Sequence, residues 1–139
     1  MRARFPVTLT VLILTCGLLA APALAWKSPT AGQKRAITQA VLSAIPRSVR
    51  PKIEVKGIRV TSVRLYGVDI PPFASANEVP KPPYEDTVQG QQFVVQQVPT
   101  ATGGWRWVTV SYGSAFVGCG VVPLAYLRDL TGDRTPCSS

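Results

Sequence analysis

The sequence predicts an α+β domain: an N-terminal helix packed on an antiparallel sheet of three to four strands, then a short C-terminal helix tied back by a disulfide. Three observations predict it. Residues 30–45 carry an apolar stripe at helical spacing, residues 53–65, 88–98 and 105–112 carry strand-like apolar runs, and Cys119 and Cys137 bracket a second short helical pattern.

Residues 1–25 stand apart from that domain. Arg2 and Arg4 precede an apolar run from Val7 to Ala21, and Ala23-Leu24-Ala25 is a small-x-small site. This is the pattern of a secretory signal peptide cleaved before Trp26. The run is short for a bilayer span, which takes about 20 residues. An uncleaved anchor is the main alternative, and lipidation at Cys16 fits poorly because Ile13-Leu14-Thr15 lacks the small residue such sites place before the cysteine. Cleavage leaves 114 of the 139 residues, a single domain over 26–139 that is large enough to bury a core. The expected destination is secreted or periplasmic, with no transmembrane segment after cleavage.

Each element then has its own signature. Thr30 and Gln33 are spaced as a capping box, Ile37, Ala40, Val41, Ala44 and Ile45 form the apolar stripe behind it, and Pro46 ends the helix. From Ile53 the period changes to two. The apolar parity shifts at Gly57 and again between Val60 and Val63, which predicts either one bulged strand or two strands. Residues 67–87 contain five prolines without clear periodicity and read as a long Pro-rich loop. Residues 88–98 and 105–112 read as a hairpin turning at Gly103-Gly104, with Trp105, Trp107, Thr109 and Ser111 on one face and Val108, Val110 and Tyr112 on the other. The second helix is expected over 121–130, with Pro123 near its start and Gly132 just past its end.

Cysteine parity supports both export and the fold. Removing Cys16 with the signal leaves Cys119 and Cys137, which should pair in an oxidising compartment. The absence of histidine excludes a Ser-His-Asp triad and histidine-ligated metals, and no phosphate-binding glycine loop is present. No cofactor or metal site is expected. Glu85 and Asp86 read as solvated loop charges, and Asp129 and Asp133 as partners of Arg128 and Arg134 at the surface.

The stretch Trp105 to Tyr112, followed by Gly113-Ser114, Gly118-Cys119, Val122-Pro123, Leu127, Asp129-Leu130 and Cys137, resembles the C-terminal part of small secreted bacterial proteins. Their element order is similar to cystatin-like and NTF2-like α+β folds. The resemblance implies export, the Cys119–Cys137 bridge and the fold, and brings no assigned active site. Trp107 departs from its pattern, which has an aliphatic strand residue there.

Two features are candidate binding sites. The full chain carries a net charge of +8, and the part after residue 25 carries +6, concentrated before residue 65. Arg47, Arg50, Lys52, Lys56, Arg59 and Arg64 fall in that basic segment and would attract an anionic polymer or a membrane surface if they shared a face. Trp105 and Trp107, two residues apart on a strand, either present stacked indoles to a sugar, peptide or protein partner or are covered by neighbouring elements. The expected function is therefore a secreted, non-enzymatic binding or interaction domain. The alternative is a small enzyme or ligand carrier with a helix–sheet pocket holding a carboxylate or a tyrosine such as Tyr66, Tyr84 or Tyr126. Nucleic acid ranks third as a partner, because export argues against it and the aromatic residues are not interleaved with the basic ones.

Overall fold

A computed structural model describes residues 26–61, 72–115 and 117–138. The proposed signal segment, Arg64 and Tyr66 lie outside the described residues. The first element is helix α1, Ala31–Ala44. Its capping box forms as the sequence predicts: Gln33 N–H donates to Thr30 Oγ1 (3.2 Å) and Thr30 N–H to Gln33 Oε1 (3.0 Å). Ile37, Val41 and Ile45 are buried along one stripe.

A short 3-10 turn, Arg50–Lys52, leads into strand β1, Ile53–Val60. Strands β2 (Phe73–Pro80), β3 (Gln92–Pro99) and β4 (Trp105–Gly113) follow, and the sheet is an antiparallel meander in the order β1-β2-β3-β4. The parity shift at Gly57 is a bulge: Lys56 pairs with Asn77 and Arg59 with Ser75, so β1 carries one extra residue there. Gly57 holds φ 61°, and a Cβ on it would meet the Asn77 side-chain amide at 2.7 Å.

Residues 73–80 correct the expected Pro-rich loop over 67–87, because they form β2, an interior strand of the sheet. Two features hid it. Its side chains are small at Ala74, Ser75 and Ala76, and all three are buried because both faces of the sheet are covered. A strand buried on both faces loses the apolar–polar alternation by which strands are read.

Helix α2, Leu124–Thr131, begins at Pro123 and ends at Gly132 in the left-handed conformation, φ 75°. It lies across the sheet from α1. On the α1 side, Ile37, Val41, Val60, Ala76, Phe93 and Trp107 belong to one core cluster. On the α2 side, Phe73, Val94, Val122, Tyr126, Leu127 and Leu130 belong to another. The Cys119–Cys137 disulfide forms, with Cα atoms 5.7 Å apart, and joins the α2 layer at both ends. Asp129 is buried rather than paired at the surface, and it accepts from the Thr61 hydroxyl at 2.7 Å. No helix among the described residues is long and apolar enough to cross a membrane.

Candidate functional site

The hairpin places the two tryptophans differently. Trp107 is 8% exposed and belongs to the α1-side core, whereas Trp105 is 58% exposed. The pair is therefore no stack of two open indoles. A bulge also changes the faces of β4: Val95 pairs with Thr109 but Val94 pairs with Ser111, so Val110 is the extra residue. Tyr112 consequently joins Trp107 and Thr109 on the α1 side, where its ring stacks on Phe93 at 5.5 Å between centroids. Ser111 turns to the α2 side and accepts from Gly118 N–H at 2.9 Å. The expected faces of Ser111 and Tyr112 are thus exchanged.

β4 is an edge strand, and its backbone orientation can be read from its neighbour. Gln97 N–H donates to Pro72 O at 3.1 Å, toward β2. Gln97 and its partner Trp107 therefore do not exchange backbone hydrogen bonds, and Trp107 turns its N–H and C=O outward. By the same alternation, so do Trp105 and Thr109. Among the described residues no backbone pairs with this edge. Beside it runs an open groove of about 760 Å³, walled on the helix by Gly32, Ala36, Ala40 and Ser43 and on the strand by Trp105 and Trp107. Thr109 Oγ1 donates to Ala40 O at 3.1 Å, fixing helix and strand at the groove floor. Gly32, Ala36, Ala40 and Ser43 are small, so the helix leaves room above the edge beside them, with Gln33 and Gln39 at its margin.

The opposite edge, β1, is built differently. It is bulged at Gly57, Lys27 pairs with Val60 at its end, and Lys56 sits on it. These are the devices that block edge-to-edge pairing. β4 is bulged too, at Val110, but from Trp105 to Thr109 it runs in regular register with no backbone paired on its outer side among the described residues.

The described basic residues each have their own neighbours, and Lys56 and Arg59 share the α2-side face of β1. Arg47 is exposed just past α1, and Arg50 Nε donates to Ile45 O at 2.9 Å, satisfying a helix-end carbonyl. Lys52 Nζ lies 5.3 Å from the Tyr84 ring centre. Lys56 pairs with Glu54 at 2.7 Å, which lowers the Glu54 carboxyl below its ordinary range through a hydrogen bond and the lysine charge. Arg59, on the α2 side, donates to Leu130 O at 3.2 Å and lies 4.9 Å from the Trp26 ring. Most of these cations are engaged singly, each with its own neighbour.

A second opening lies on the α1 side, past the end of the helix. This pocket of about 460 Å³ is lined by Ile45, Val49, Val88, Phe93, Tyr112 and Glu78. Glu78 comes from β2 and is 7% exposed. Burial pushes its carboxyl above the ordinary value of 4.5. The sequence reading missed Glu78 because it fell in the segment taken as loop. The available signal was its spacing from Ala74 and Ala76, which places all three in one inward row. The tyrosines proposed for a helix–sheet pocket are elsewhere: Tyr126 is in the α2-side core and Tyr84 faces Lys52. Glu85 and Asp86 are exposed, and no group of three metal-ligating side chains occurs among the described residues.

No family model, curated protein or solved structure matches the chain. The geometry on its own must therefore carry the functional reading.

Proposed function

We propose that the protein is an exported, non-enzymatic binding module that takes an extended segment of a partner protein along the open edge of β4. One observation carries this reading: Trp105, Trp107 and Thr109 direct backbone donors and acceptors outward into a groove whose far wall is the small-residue flank of α1. An added strand would complete the ladder, giving affinity through its main chain, while its inward side chains would occupy the space over Ala36 and Ala40. Trp105, at the groove mouth, supplies an aromatic anchor of the kind that dominates interfaces. Export is supported by the N-terminal pattern of residues 1–25, and the disulfide is compatible with it.

The test is selection of displayed peptides on the purified protein. Selected peptides should protect the Trp105, Trp107 and Thr109 amides from hydrogen exchange, and Trp105→Ala should weaken them about tenfold. Failure to select any peptide, or protection confined to other strands, would overturn the reading. An anionic polymer or membrane surface is the other occupant suggested by charge. It predicts retention on a heparin-like resin at low salt that is lost within ordinary salt gradients.

A further inference from the structure

Glu78 is a different kind of feature from the groove. The residue is 7% exposed and its side chain lines the pocket, and no hydrogen bond or ion pair to its carboxyl occurs among the described residues. An acid so placed loses part of its hydration, which a positive group seated in the pocket would replace. Leucine would fill the position without that loss. Part of the lining is aliphatic and aromatic, with Ile45 and Val49 from the helix end, Val88 from the loop and the stacked Phe93 and Tyr112 rings, while Thr87, Gln89 and Gln91 add neutral polar groups. At about 460 Å³ the space is of the size that holds a small ligand or one long side chain.

The charged groups around the pocket identify the missing partner. Tyr112 is the other titratable side chain in its lining. Past the helix end, Arg50 is turned to Ile45 O and Arg47 is exposed. On β1, Glu54 and Lys56 pair with each other on the other side of the sheet from Val55, the neighbour of Glu78. In the loop, Glu85 and Asp86 are exposed, and Lys81 Nζ bonds Pro51 O at 3.4 Å. None of these cations engages the Glu78 carboxylate. One carboxylate is too few for a divalent cation, and the apolar part of the lining suits a carbon chain.

We infer that this pocket binds an ammonium group on an apolar stem, with Glu78 as its counter-ion and the Phe93–Tyr112 pair lining the stem. The group comes from a free alkylamine or from a lysine side chain presented by a partner. Ring faces favour a cation or its polarised methylenes, which adds to the ion pair.

The experiment measures binding to the purified full chain by calorimetry and by ligand-observed NMR. The probes are n-hexylammonium, its uncharged counterpart n-hexanol, and a short capped peptide containing one lysine. Hexylammonium or the lysine peptide should bind about tenfold or more tightly than hexanol, and Glu78→Gln should remove that advantage. Affinity should also fall on acidification, beginning above the ordinary carboxylate range because burial raises this carboxyl. Binding of the peptide but not of the free amine assigns the pocket to a partner lysine, and binding of both assigns it to the ammonium group in general. Equal affinity for hexanol, an unaltered affinity in Glu78→Gln, or no binding of either amine would overturn the inference. Trp105→Ala changes the groove but not this pocket, so it should leave amine affinity unchanged. That control separates failure of the pocket from failure of the β4 reading.

Discussion

Single residues show how tightly the α2 layer is seated. Gly118 holds φ 87°, and a Cβ there would come within 2.7 Å of Leu127 Cδ2 and 3.3 Å of a Val122 methyl. Gly118→Ala therefore combines backbone strain with overpacking and should destabilise by about 2–3 kcal/mol in urea unfolding. Glu78 makes the opposite kind of prediction. Its carboxyl is raised in the folded state, so its contribution is favourable below its ordinary value of 4.5 and is lost as pH rises through the folded value. The unfolding midpoint of Glu78→Gln relative to the parent should thus climb from acidic to neutral pH. A midpoint difference that stays flat across that range would mean that burial does not perturb the group.

At the scale of elements, the bulge in β4 decides which side chains meet. Because Val110 is the extra residue, its deletion should leave Val94 opposite Ser111 and Phe93 opposite Tyr112, now in a regular ladder. The variant should fold with a loss of about 1 kcal/mol from the half-buried valine, and Phe93–Tyr112 ring contacts should persist in NMR. The regular elements were legible in the sequence where local chemistry specifies them. Thr30 and Gln33 located the start of α1, Gly57 the bulge in β1, Gly132 the end of α2, and cysteine parity the bridge. What was illegible depends on tertiary cover. β2 looked like a loop because its small side chains are enclosed on both faces, and Tyr112 was assigned to the wrong face because nothing local to Val110 announces a bulge. Of the two tryptophans singled out in the sequence, Trp105 is exposed at the groove and Trp107 is core. Glu78 was missed together with its strand.

For the whole molecule, the disulfide is the covalent constraint on a small domain. It links residues 18 apart in sequence, and its loss should cost about 3 kcal/mol in the chain-entropy account. Replacing Cys119 and Cys137 together with serine and measuring urea unfolding checks that figure. A change well under about 1 kcal/mol would mean that packing of Tyr126, Leu127 and Leu130 already restricts the unbridged chain.

The sheet also acts as a partition. The bridge, Gly118 and the α2 core lie on one side of it, whereas the groove and the Glu78 pocket open on the other. On the proposed reading, robustness and recognition thus occupy separate sides of the sheet. Substitutions that tune how firmly the chain folds can accumulate behind the sheet without reshaping the groove and pocket in front, and those openings can diversify without touching the staple.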